Sequence, residues 1–287
     1  MTGAAMTARM LRLFPGQPEE VAVAGAYLSH RLHELGSEAS PFVYASFVSS
    51  LDGRIALRDP ATGESRLPAG LVSDTDFRLF LELQAQADCL ITHGGYLRDL
   101  AAGRLDDVLQ VGMQKAANGL ARWRADNGLP PQPVVVVASA SLEFPMPDSL
   151  ARHGQRVFIA TGAAAPPERV AHWRAAGYEV LIAGAGQSVE GAALLRELDM
   201  RGLRSLYLLA GPRMLDTMLR DGRLSRLYLT TAHRLLGGES FHSMLAGSEL
   251  GKAGRLRLGA LHYDSGTLDG TGQFFAHFEP WAHGPEL

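Results

Sequence analysis

Apolar positions along the chain follow two alternating rhythms. Short runs rich in β-formers recur at residues 42–48, 88–92, 134–138, 157–160, 179–183, 205–210 and 226–232. They are nearly continuous in hydrophobicity, as strands buried on both faces are. Between most of them the apolar residues fall three and four apart, the spacing of one helix face. One such helix begins at Ser73, with Asp76 at capping-box distance, and buries Phe77, Phe80, Leu81 and Leu83. Others cover 168–176 with Gly177 as stop, 190–200 with Leu194, Leu195 and Leu198 inward, and 212–220 with Met214, Leu215, Met218 and Leu219 inward. Near the start, Val21, Ala24, Leu28, Leu32 and Leu35 form a stripe that predicts a helix from Pro18 to Gly36, after a poorly ordered end at 1–16. Residues 97–130 carry only scattered periodicity, and 255–279 reads as two strands around a turn at 264–272. Strands alternating with helices predict an α/β fold with a mostly parallel mixed sheet, and the last pair adds a C-terminal antiparallel hairpin.

Composition narrows the function classes. The 287 residues allow one large domain or two small ones, with ample chain for a core. Hydrophobic residues are 46% and charged residues 20%, which argues against disorder. A net charge of −3 leaves no basic footprint for nucleic acid. No apolar run reaches the length of a membrane span, and the first residues lack a secretory core, so a cytoplasmic protein is expected. Cys89 is the single cysteine; it excludes an intrachain disulfide and cysteine-rich zinc sites, and its apolar strand makes it a small core residue.

Candidate chemistry sits where strands end. At Ala210-Gly211-Pro212-Arg213-Met214 a strand meets a helix that has proline in its first turn. Small residues and free N–H groups there suit a phosphate, with Arg213 and Met214 as amide donors; a plain tight turn would look the same. His93-Gly94-Gly95 is a second such edge, and ligands of open α/β sheets bind at these edges. Gly184-Ala185-Gly186 imitates a dinucleotide fingerprint but has Val189 where a small residue is required, so it reads as a connection. His30 and His33 lack further ligand types nearby and read as a solvated helix face; no metal site is expected. Asp52 ends the first strong strand in a Ser-Leu-Asp-Gly-Arg turn and is either a turn former or a catalytic carboxylate.

Taken together, these pieces resemble the reductase domain of the riboflavin-biosynthesis deaminase–reductases. The match begins with Pro41-Phe42-Val43 and runs through Ser50-Leu51-Asp52-Gly53-Arg54. Asp88 to Tyr96 is similar to the family's Asp-Ala-Ile-Leu-Val-Gly-x-Gly-Thr, and Leu209-Ala210-Gly211-Pro212 to its Glu-Gly-Gly-Pro. Residues 223–230 and Leu235-Leu236-Gly237-Gly238 follow in the family's order, so the resemblance covers about 41–280. Leu209 replaces the family glutamate, and His93 and Tyr96 replace a glycine and a threonine.

The resemblance implies a three-layer dihydrofolate reductase-like fold, with residues 1–40 as an N-terminal helical extension and 41–287 as the reductase-like domain. It implies NADPH held by Gly94, Gly95, Ala210, Gly211, Pro212, Arg213 and Met214, with Ser139, Ser141 and Thr161 near the adenosine phosphate. Ser50, Asp52, Gly53 and Arg54 would face the substrate, a riboflavin-precursor-like pyrimidine, where Asp52 would either fix the substrate's polar groups or help relay a proton. A homodimer is implied. One cysteine is too few for the deaminase half, whose zinc signature needs two. The rival readings are a dihydropterin-type reductase of the same fold and a non-catalytic NADPH-binding protein.

Overall fold

The computed structural model describes residues 8–281. In chain order it forms β1 (Arg9–Phe14), β2 (Glu19–Ala22), β3 (Phe42–Ser50), β4 (Ala56–Arg58), β5 (Ser65–Arg66), α1 (Asp74–Ala85), β6 (Cys89–His93) and α2 (Gly94–Ala101). Next come α3 (Leu120–Asp126), β7 (Val134–Ala138), α4 (Asp148–Arg152), β8 (Val157–Thr161), α5 (Pro167–Ala175), β9 (Glu179–Ile182) and α6 (Gly191–Asp199). The chain then runs through β10 (Ser205–Leu208), α7 (Pro212–Arg220), β11 (Arg226–Ala232), β12 (Phe241–His242), β13 (Leu256–Asp264) and β14 (Gln273–Pro280). One eleven-stranded sheet has the order β2-β1-β13-β14-β11-β3-β10-β6-β7-β8-β9, and β12, β4 and β5 form a small second sheet. From β11 to β9 all neighbours are parallel, whereas β14, β13, β1 and β2 extend the sheet antiparallel. The expected α/β class, mixed sheet and terminal hairpin are therefore present.

Alternation along the strands builds two cores and three layers. On β7, Val135 and Val137 join the core under α1, α2 and α5 with Leu79, Leu97 and Trp173. Val136 and Ala138 face the opposite core, under α6 and α7, with Leu194, Leu198, Leu215 and Met218. Such double-sided burial explains why the central strands are continuous apolar runs. Cys89 is fully buried in the second core, where desolvation pushes its thiol pKa up.

The helix expected from Pro18 does not form, and the segment 9–22 is a pair of strands, β1 and β2, joined by a turn, not a helical extension. β1 pairs with β13 through Leu11↔Tyr263 and Arg12↔His262, so this segment belongs to the main sheet. Beyond β2 the backbone turns at Gly25, φ +88°, and at Arg31, φ +48°, which interrupts any helix. The carboxylate of Glu82 on α1 accepts the amides of Gly25 at 2.6 Å and Tyr27 at 3.0 Å, donors a regular helix would use internally. His30 and His33 are not solvated either. His30 Nδ1 lies 2.7 Å from the Tyr228 hydroxyl, and the His33 ring meets Trp123 edge-on at 5.1 Å.

The ambiguous stretch at 97–130 contributes α2 and α3 joined by a loop. Arg124 locks it down: fully buried, it donates to the carbonyls of Pro130 at 2.8 Å, Ala85 at 2.9 Å and Ala87 at 2.8 Å.

Candidate active site

Strands β3, β6, β10 and β7 all end at one edge of the sheet, and a cleft opens over their ends. Its larger part, a cavity of about 340 Å³, lies between α1 and strands β3 and β11. A second part of about 270 Å³ lies over the ends of β6 and β10. Ser46, Phe47, Phe80 and Val108 line both, so the two parts are continuous. Together they have the size of a site for a small molecule lying beside a second one.

The turn from β10 into α7 floors the smaller part, where Ala210 and Gly211 are wall residues. Among the described residues, the amides of Ala210, Gly211 and Arg213 find no acceptor, whereas Met214 donates its amide to the Gly211 carbonyl at 3.1 Å. The Arg213 amide is thus unpaired, and the Met214 amide is not. Three unpaired N–H groups at the start of a helix make a cradle for an anion.

His93 forms the facing wall. Its Nδ1 accepts the Tyr96 amide at 3.2 Å and caps α2. Burial lowers its pKa, so the ring is neutral and carries its proton on Nε2. A Cβ placed on Gly211 would lie 3.6 Å from that Nε2. Gly94 and Gly95 are the first turn of α2, and a Cβ on Gly94 would come within 2.8 Å of the Phe144 ring. Gly94 therefore lets the helix sit close to its neighbour. Ser139 and Ser141 follow β7 at the same edge and accept the amides of Leu142 at 3.0 Å and Glu143 at 3.3 Å. Thr161 is fully buried, so its hydroxyl does not reach the cleft surface.

The Ser50–Arg54 turn is knitted into itself. The Ser50 hydroxyl donates to Asp52, whose carboxylate also pairs with Arg54 at 2.6 Å and accepts the amides of Leu236 at 3.2 Å and Gly237 at 2.9 Å. These hydrogen bonds hold the Asp52 pKa down at about 2. Arg54 also donates to the Gly238 carbonyl and sits over the Phe241 ring at 4.3 Å. Gly53 supplies the positive φ of +78° that the turn requires. None of Ser50, Asp52, Gly53 and Arg54 lines the cleft; Ile55, which follows them, does.

The ionisable carboxyl in the cleft wall is Asp76, which the sequence offered only as a capping partner. Ser73 does accept the Asp76 amide at 3.1 Å, while the Asp76 side chain joins Thr230 in the wall of the larger cavity. Desolvation pushes its pKa up to about 6. The clue in the sequence was a second acid, Asp74, that already served the helix dipole.

Comparison with known proteins agrees with this architecture. The family model for the RibD C-terminal domain matches residues 41–263. A 2,5-diamino-6-ribosylamino-4(3H)-pyrimidinone 5′-phosphate reductase from Methanothermobacter thermautotrophicus is 29% identical over 221 residues, spanning 76% of this chain and 91% of that protein. The protein of the same name from Archaeoglobus fulgidus is 25% identical over 217 residues, spanning 75% of this chain and 91% of its own length. Among solved structures, a pyrimidine reductase-like protein from Corynebacterium diphtheriae superposes with a TM-score of 0.62 at 21% identity, covering 91% of this chain and 98% of that one.

Proposed function

Because the chain belongs to the RibD C-terminal domain family, we propose that it is an NADPH-dependent reductase of 2,5-diamino-6-ribosylamino-4(3H)-pyrimidinone 5′-phosphate, the compound named for its relatives. The observation that carries this reading is the cleft itself. One part ends on the three unpaired amides of Ala210, Gly211 and Arg213, and the other is a mostly apolar cavity of about 340 Å³ holding one carboxyl.

The amide cradle fits the diphosphate of a dinucleotide, with Pro212 fixing the turn and Met214 anchoring the start of α7 on the second core. Gly94, Gly95, Ser139 and Ser141 continue the same edge toward the adenosine end. A bound nicotinamide supplies the hydride. The protein's share is to orient two ligands across Ser46 and Phe47 and to keep water out with Phe77 and Phe80. The Asp52 clamp holds the turn that places Ile55 in the cavity wall. Leu209, in place of the family's glutamate, lines the cleft with an apolar surface, so ligand recognition there rests on backbone groups.

NADPH titration followed by nicotinamide fluorescence, then by cofactor consumption on adding the pyrimidine phosphate, tests the reading. Saturable binding with turnover is expected. Binding without turnover on this compound or on dihydropterins would favour a non-catalytic role, and no binding at near-millimolar NADPH would overturn the proposal.

A further inference from the structure

We propose that Asp76 selects the substrate ring by gripping an edge with two adjacent N–H donors, the 2-amino group and ring N3–H of an aminopyrimidinone. The inference rests on the pyrimidine reading above and adds the residue that tells one pyrimidine from another. Asp76 projects from the first turn of α1 into the larger cavity, where the remaining wall is aliphatic, aromatic or hydroxyl-bearing. It makes no ion pair among the described residues. The groups that face it are neutral: Thr230 and Tyr228 from β11, Tyr207 from β10 and Tyr27 from the N-terminal segment. Thr230 shares this wall and favours the charged form, but burial outweighs it, so the carboxylate is costly to ionise and its oxygens have acceptor positions to fill. A ring edge with two parallel N–H groups satisfies both oxygens at once, in the manner of a bidentate pair. The aromatic walls of Phe47, Phe77 and Phe80 suit a flat ring. A ring with oxygen at C2 sets an acceptor against the carboxylate, and that mismatch is the basis of rejection.

The test uses two simple probes, 2-aminopyrimidin-4(3H)-one and uracil, titrated into the full-length protein by NMR. The wild type should bind the 2-amino ring at least about tenfold more tightly. That preference should fall away as pH drops through about 6, where the carboxylate takes up its proton, while uracil affinity stays level or improves. In Asp76→Asn the amide offers one donor and one acceptor, so the preference should shift toward uracil by tenfold or more, with NADPH affinity unchanged. Should that variant fold poorly by thermal melting, the wild-type preference and its pH dependence decide the matter. Equal affinities in the wild type, or a preference that neither pH nor Asp76→Asn moves, would overturn the inference. Loss of turnover with the preference intact would instead overturn the reductase reading alone.

Discussion

The Asp52 carboxylate accepts the Gly237 amide at 2.9 Å, across 185 residues of sequence. It thereby ties the turn after β3 to the segment after β11, the two strands that flank the larger cavity. A carboxylate held at about 2 stays ionised throughout the physiological range, the state that a fixed anion in a positioning clamp requires.

Asp52→Asn should therefore act through positioning. We expect KM to rise severalfold with kcat within about twofold of wild type, measured by steady-state cofactor consumption. A collapse of kcat at constant KM would place Asp52 in the chemistry instead. The linkage has a definite sign: the folded pKa lies below the ordinary 3.8, so the stabilisation is full above that value and disappears as pH falls through about 2.

Gly211→Val probes the amide cradle. Its Cβ would sit in ordinary contact at 3.6 Å from His93 Nε2, so the fold should survive with little change in melting temperature. The added methyl groups would stand where a phosphate approaches the amides, and NADPH affinity should drop at least about tenfold. Unchanged affinity would move the cofactor away from this turn.

Arg124→Met should be among the most damaging changes outside the cleft. It would strand the fully buried carbonyls of Ala85 and Ala87 without their donor, and would also release the carbonyl of Pro130 at the rim. A loss of about 3 kcal/mol or more is expected, or about 6–12 °C in a thermal melt. A shift under about 2 °C would mean that the loop repacks freely.

The histidines beside Tyr228 make stability pH-dependent. Burial lowers His30 to about 3 and His277 to about 4, below the ordinary 6.5. Below pH 6.5 the unfolded chain binds protons that the folded one refuses, so stability is full above 6.5 and falls as pH drops toward 4. Asp76, raised to about 6, works in the opposite sense between 6 and its ordinary 3.8. Comparing melting curves of wild type and His277→Gln from pH 7 to 5 isolates the histidine part. The variant should lose less on acidification, and identical slopes would show that His277 takes no part.

Much of the sheet was legible because its strands are buried on both faces and its helices are punctuated by Gly and Pro. β7, β11 and α7 lie where the apolar pattern put them. β1 was not legible: Arg9 and Arg12 interrupt it, Met10 is its one fully buried side chain, and its order comes from pairing with β13 at the far end of the chain. The stripe from Val21 to Leu35 imitated a helix because Leu32 and Val21 do face a core, but through turns held by Glu82. For the cleft, small residues and proline after β10 marked the cradle, since that chemistry is local. The direction of the Asp76 side chain depends on Thr230, a contact made only when β11 enters the sheet beside β3.

The most direct test of the central claim is label transfer. Purified protein would be given NADPH deuterated at the transferable position of the nicotinamide, together with 2,5-diamino-6-ribosylamino-4(3H)-pyrimidinone 5′-phosphate, and the product analysed by mass spectrometry and NMR. The account predicts a reduced product carrying one deuterium per cofactor consumed. Recovery of the unreduced pyrimidine while the protein still binds NADPH would contradict it.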